Sequence, residues 1–180
     1  MNAMNTHYPD PTRIEASNRH TLAVIVDNEP GVLARIAGMF SGRGYNIESL
    51  TVSETEHEKH ISRITIVTTG TNAVIEQIKS QLERLVPVHR VVDLTVEGPA
   101  IERELALLKV VGAGDHRVEA MRLASAFGAR ILDATLSSFV FELTGTTDEI
   151  ERFISLMTAV GLAEVSRTGI AAMSRGKEGM

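Results

Sequence analysis

The sequence contains no cysteine. That excludes a disulfide framework and any thiolate nucleophile or ligand, and it says little about compartment. Aromatic residues are scarce, at 4% of the chain. Positive charge is also short: 18 Lys and Arg against 23 Asp and Glu leave a net charge of −5. An RNA-binding sheet needs exposed aromatics and a basic face, and an acidic chain disfavours nonspecific contact with nucleic acid or anionic lipid. No apolar run approaches the length of a membrane span. The stretch from Met1 to Arg19 is polar, with Pro9, Asp10, Pro11 and Glu15, and lacks the apolar core of a signal peptide. It reads as a disordered leader on a cytoplasmic protein.

Catalytic constellations are missing as well. Ser41 and Ser125 have no paired base in the sequence, and no Ser-His-Asp set or carboxylate pair stands out. His57 and His60 lie three apart in a polar connection, without the helical register or further ligands of a metal site. Gly112-Ala113-Gly114 resembles the start of a dinucleotide loop, but Arg117 stands where its third glycine belongs, so it reads as a turn.

What remains is 43% apolar residues in 180, enough for one medium or two small cores. Thr21 to Val26 is short, apolar and β-branched, which reads as a strand. After Gly31 the period changes: Val32, Leu33, Ile36, Met39 and Phe40 recur at three- and four-residue steps, as in an amphipathic helix. Asn28-Glu29-Pro30-Gly31 is therefore a strand-to-helix turn. Locally such a turn serves either as a cap or as a ligand site, since a helix start offers unpaired N–H groups and partial positive charge to a carboxylate or phosphate. The helix ends at Gly42-Arg43-Gly44.

Further strands are expected at Ile47–Ser53 and Ile61–Thr69, the latter with Ile64 and Ile66 on one face and Val67 on the other. A second helix carries Val74, Ile75, Ile78, Leu82 and Leu85 in one stripe, Pro87 closes it, and Val88–Glu97 follows as a strand. The order is βαββαβ, a ferredoxin-like arrangement. Gly98-Pro99 marks a boundary, and the pattern starts again. Strands at Glu102–Val111, Arg130–Leu136, Phe139–Thr144 and Leu162–Gly169 alternate with helices at Asp115–Phe127 and after Thr146. Thr146-Thr147-Asp148-Glu149 has the capping-box pattern, with Ile150, Phe153, Ile154 and Met157 on one face beyond it. The fold class is α+β, two tandem ferredoxin-like βαββαβ units. A shift of 84 positions places Gly44 on Gly128, Ile47 on Ile131 and Thr51 on Thr135. The same shift places Asn28 on Gly112, Gly31 on Asp115 and Asn46 on Arg130, so the second unit keeps the architecture and loses the polar trio.

Two stretches carry a resemblance. Asp27-Asn28-Glu29-Pro30-Gly31-Val32-Leu33-Ala34-Arg35, followed by Phe40-Ser41-Gly42-Arg43-Gly44-Tyr45-Asn46-Ile47-Glu48-Ser49-Leu50-Thr51-Val52, resembles the ACT domain of acetolactate synthase regulatory (small) subunits. Residues 43–52 are its most specific part, and it extends from about His20 to Ser174-Arg175-Gly176. It implies an ACT domain over 20–97, an ACT-like C-terminal domain over 98–174 and a tail over 175–180. It further implies a regulator with no catalytic site or cofactor of its own. Such a chain activates a large catalytic subunit, where thiamine diphosphate, Mg and FAD are expected, and confers feedback inhibition by valine or another branched-chain amino acid. As effector contacts the resemblance carries over Asn28, Gly31 and Asn46, in a homodimer joined edge to edge through the ACT domain. Backbone N–H groups at Gly31, Val32 and Leu33 suit the α-carboxylate, and Ile47 offers apolar cover. The alternative is a free-standing amino-acid-sensing ACT regulator, against which the sequence shows no helix-turn-helix or basic segment.

Overall fold

The computed structural model describes residues 16–177 and residue 179. Most of the expected leader, residues 1–15, lies outside the described residues. Two βαββαβ units follow one another. The first comprises β1 (Asn18–Asp27), α1 (Val32–Gly42), β2 (Ser49–Glu56), β3 (Ile61–Gly70), α2 (Asn72–Leu82) and β4 (Val88–Asp93). The second comprises β5 (Ala100–Val111), α3 (Asp115–Phe127), β6 (Arg130–Ala134), β7 (Ser138–Gly145), α4 (Thr147–Thr158) and β8 (Leu162–Arg167), and β9 (Ala171–Ser174) ends the chain's regular structure. The antiparallel sheets run β2-β3-β1-β4 and β6-β7-β5-β8. β9 pairs with the start of β5, at Ala100–Arg103.

The helices lie where apolar spacing puts them. Val32, Ile36 and Phe40 of α1 and Ile75, Ile78 and Leu82 of α2 are buried against Leu22, Val24, Val26, Ile64 and Ile66. In the second unit Ile150, Phe153 and Met157 of α4 cover Ala106, Leu108, Val110 and Phe141. Thr71 and Thr146 cap their helices by accepting from Val74 N and Glu149 N, and at α4 the Glu149 carboxylate accepts in return from Thr146 N. That return bond holds the Glu149 carboxyl below its ordinary range.

Several sequence expectations are corrected. The expected fourth strand, 88–97, stops at Asp93, because the Asp93 side chain accepts from Thr95 N at 2.9 Å and its carbonyl accepts from the N–H groups of Val96 and Glu97. These bonds fold Leu94–Glu97 into a turn. The expected last strand, 162–169, stops at Arg167. Gly169, at φ +82, lies in the connection that follows, from which the chain crosses to form β9, a strand the sequence reading did not place. Leu33 is 44% exposed and is not part of the core. β1 begins at Asn18, two residues inside the stretch assigned to the leader. The 84-residue shift holds at the helix C-termini, where Gly44 N donates to Ser41 O and Gly128 N to Ser125 O. It fails at the N-termini, because α3 is longer than α1. The helix-starting glycines are Gly31 and Gly114, so Asp115 corresponds to Val32 and not to Gly31.

β1 is buried on both faces. Leu22, Val24 and Val26 face the helices, while Ala23 joins Val67, Val92, Leu94, Ile170 and Ala172 in a third cluster on the opposite side. The C-terminal segment thus covers the back of the first sheet. In the second unit, buried Glu104 on β5 is bound by Arg167 of β8, whose Nε donates to Oε2 at 3.1 Å and whose Nη2 donates to Oε1. The bond to Glu104 holds the Arg167 guanidinium above its ordinary value. Arg167→Ala should destabilise the protein by roughly 2–4 kcal/mol, because it strands a buried carboxylate. Glu104→Gln, which removes that charge, should cost less. Urea unfolding of the two variants checks this, and equal costs would contradict it.

Candidate functional site

The turn between β1 and α1 is built around Gly31. It is the N-cap of α1 at φ 90, a conformation that L side chains resist, and a Cβ there would meet nothing within 4 Å. Among the described residues no side chain caps this helix, and no acidic residue lies in its first turn. The other helices differ. α2 and α4 are capped by threonines, and α3, also started by a glycine, carries Asp115 in its first turn. Val32 N donates to Glu29 O at 3.4 Å within the turn, and the rest of the α1 N-terminus is left without a side-chain cap, open above an exposed glycine.

Asn28 stands at the mouth of this turn. Its backbone N–H donates to His60 O at 2.6 Å, which ties the turn to the β2–β3 hairpin. Its side-chain Nδ2 donates to Glu54 Oε1 at 3.2 Å, and the other Glu54 oxygen lies 2.9 Å from His57 Nδ1. Sequence reading missed this clamp: Glu54 and Asn28 are 26 residues apart, and only the β2–β3 register brings the hairpin over the turn. Glu29 points outward and pairs with Arg35 at 3.3 Å.

The candidate residues fall into two groups. Asn28, Gly31, Val32 and Leu33 are together at the start of α1, with Val32 buried in the core and Leu33 partly exposed. Asn46 and Ile47 lie past the other end of the helix. Asn46 O accepts from Thr68 Oγ1 at 2.6 Å, and Ile47 packs partly buried against the first core. Along β3, Ile61, which follows His60, and Thr68 are separated by roughly 23 Å at the usual strand rise. A single chain therefore does not bring Asn28 and Asn46 to one ligand. β2, the strand that spans the gap, forms the free edge of its sheet.

Among the described residues no group of three or more His, Cys, Asp or Glu is placed to hold a metal ion, and no helix is long and apolar enough to cross a membrane. His57 and His60 stack edge-on at 6.2 Å between ring centroids, beside Glu54.

Comparison with known proteins now decides the family. The model described as "AHAS small subunit-like ACT domain" matches residues 22–90, and that of "Small subunit of acetolactate synthase" matches residues 103–176. The acetolactate synthase small subunit of Aquifex aeolicus is 46% identical over 158 residues, covering 87% of this chain and 81% of that protein. The chain belongs to the acetolactate synthase small-subunit family. The acetolactate synthase isozyme 3 small subunit of Salmonella typhimurium is 43% identical over 159 residues, covering 88% and 96% of the two chains. The crystal structure of the acetolactate synthase small subunit from Thermotoga maritima superposes with a TM-score of 0.81 at 36% identity, covering 89% of this chain and 99% of that one. The two-sheet fold of this small-subunit family member is thus shared with a solved relative over nearly its whole length.

The clamp on Asn28 has a pH window. Its hydrogen bond to Glu54 raises the His57 imidazole above its ordinary value, and the Glu54 carboxyl is lowered by His57 first and Asn28 second. The raised imidazole contributes stability that is complete below the ordinary histidine value and lost as pH rises through the folded one. The lowered carboxyl contributes stability present above the ordinary carboxylate range and lost as pH falls through its folded value. The clamp is therefore tightest at mildly acidic pH. In an NMR titration His57 should turn over above a free histidine and return to the ordinary value in Glu54→Gln. Both groups are surface-exposed, so high salt should shrink the shift. A His57 midpoint indifferent to Glu54→Gln would contradict the clamp.

Proposed function

We propose that this chain is the regulatory subunit of an acetolactate synthase in branched-chain amino-acid biosynthesis. It joins a separate large catalytic subunit in the cytoplasm, raises that subunit's rate and makes it sensitive to valine or a related branched-chain amino acid. Thiamine diphosphate, Mg and FAD belong to that partner. One observation carries the reading: the uncapped N-terminus of α1 at left-handed Gly31, beside the Asn28 amide, within the stretch that matches the ACT-domain model. Free N–H groups and a positive helix end suit an α-carboxylate, and an asparagine amide can serve either charge of the zwitterion. Residues 20–97 are on this reading the effector-binding domain, and 98–174 a second, ACT-like domain.

The distance between Asn28 and Asn46 is accounted for by a second copy. If the free β2 edges of two chains pair antiparallel about a twofold axis, the start of one β2 lies beside the end of the other. Asn46 and Ile47 of one chain then approach Asn28, Gly31 and Leu33 of the other, and each dimer holds two equivalent pockets. The partly exposed Leu33 finds an apolar role there, facing the branched side chain alongside Ile47. Sedimentation at micromolar concentration should give a homodimer or a higher even oligomer. A monomer would remove this pocket, because neither group of residues makes it alone.

Reconstitution with the catalytic subunit tests the effector reading. Asn46→Ala should weaken valine binding by about 1–2 kcal/mol through loss of hydrogen bonds to a charged ligand. Gly31→Asp adds both backbone strain, since φ is 90, and a carboxylate facing the ligand's own. Gly31→Asn reproduces the strain without the charge. The Asp variant should bind valine more weakly than the Asn variant by about 2 kcal/mol, the effect of like charges a few ångström apart near a surface. Stimulation of the catalytic subunit should survive in all three. As a control, Asp115→Gly in the second unit should leave valine sensitivity near wild type. Loss of sensitivity in that control, with none in Gly31→Asp, would place the site in the wrong unit.

A further inference from the structure

The segment leading into β9 touches both sheets within two residues. Thr168 is fixed to β5: Leu105 N donates to Thr168 Oγ1 at 3.1 Å, and Thr168 N donates to Leu105 O at 3.0 Å. Immediately afterwards the chain meets the edge strand of the first sheet. Ile170 N donates to Ser49 Oγ at 3.2 Å, and Thr51 Oγ1 donates to Thr168 O at 3.5 Å. Gly169 lies between these contacts, and a Cβ built on it would sit 2.7 Å from Ser49 Oγ and 2.8 Å from Thr51 Oγ1. Its φ of +82 strains any side chain, and a methyl group there would push the Ser49 and Thr51 hydroxyls aside. Farther on, Ile170 and Ala172 are buried on the back of the first sheet, and Arg63 Nη2 donates to Ala172 O at 2.7 Å. β9 then returns to pair with β5.

Ser49 and Thr51 belong to β2, whose free edge, together with Asn46 and Ile47 just before it, forms half of the proposed pocket. We infer that residues 168–172 are a coupling strap that carries displacements of β2 to the second sheet. The inference rests on the effector reading for what moves β2, while the link itself does not. The strap has little slack, because β2 touches it through two hydrogen bonds and a close approach of the Ser49 and Thr51 hydroxyls to Gly169. An ångström of β2 motion therefore either breaks the Ile170–Ser49 bond or drags Gly169, and with it Thr168 and β5. The coupling is local and two-sided: one strand reports the pocket, and one residue hands the displacement on.

Two variants of the full chain test the strap. Ser49→Ala removes a hydrogen-bond acceptor and adds no bulk, and Gly169→Ala inserts a Cβ that strains the backbone and displaces the Ser49 and Thr51 hydroxyls. Each is measured for valine affinity by titration calorimetry and for valine inhibition after reconstitution with the catalytic subunit. Valine affinity should stay within about twofold of the parent and stimulation should be retained. The valine concentration for half inhibition should rise about fivefold or more for Gly169→Ala, and less for Ser49→Ala. Scanning calorimetry should show one unfolding transition in the parent and two in Gly169→Ala. Inhibition curves that superimpose on the parent's would overturn the proposal. So would affinity and inhibition falling together, which would make the strap part of the pocket. Should Gly169→Ala fail to fold, Ser49→Ala decides alone on the same two measurements. A parent that binds no valine removes the effector reading, and the link is then judged by the transitions: splitting in Gly169→Ala supports it, and a single transition throughout overturns it.

Discussion

Covering the back of the first sheet is the constraint on which the rest of the structure depends. A βαββαβ unit places its helices on one face, and β1 here is apolar on both. The uncovered face must be buried by something else. Ile170 and Ala172 do this from the far end of the chain, over Ala23, Val67, Val92 and Leu94. Burying an aliphatic side chain contributes on the order of 1.5–3 kcal/mol, so Ile170 alone is a sizeable fraction of a small domain's net stability. One consequence is topological. The chain must finish its second sheet and then come back, which it does by turning at Gly169 and pairing β9 with the start of β5. The two units share a boundary that is a piece of core rather than a linker.

That boundary was the least legible part of the sequence. The periodicity of α1, α2 and α4, the capping box at Thr146–Glu149 and the turn at Gly31 all follow from local residue types, and all are found in the structure. Edges of elements fared worse where a long-range partner decides them. Asp93 ends β4 through bonds to Thr95 and His20, the latter on β1, at 2.9 and 2.7 Å, and nothing in the apolar run beyond it announces a stop. The strand read as 162–169 ends at Arg167, and Gly169 beyond it takes a positive φ close to Ser49 and Thr51 of a distant strand, a neighbourhood the local sequence does not announce. Val86 and Leu136, both almost fully exposed, show that an apolar residue in a run need not be core.

The candidate site was half legible for a related reason. Asn28 and Gly31 are neighbours in sequence and sit together at the α1 turn. The Glu54–His57 clamp on Asn28 depends on which hairpin residue the register places over that turn. Asn46 belongs to the same motif in sequence and lies at the opposite end of β2 in space. The motif's continuity along the chain hides the fact that its two halves face different neighbours. Both halves lie within the stretch matched by the ACT-domain family model, residues 22–90.

The repeat itself shows how the two helix starts differ in charge. Both units start their first helix with a left-handed or otherwise non-helical glycine and no side-chain cap: Gly31 at φ 90 and Gly114 at φ 60. The difference is one position further on. In the first unit that position is Val32, turned into the core, so the helix end keeps its positive potential for whatever approaches from solvent. In the second it is Asp115, exposed, whose carboxylate satisfies the helix dipole from within the chain. A second carboxylate would be added against an existing one, with a like-charge repulsion on the order of a few kcal/mol at contact distance near a surface. Two helix starts that share a glycine and lack a side-chain cap thus differ in charge, because one carries an apolar residue and the other an acidic one at the next position.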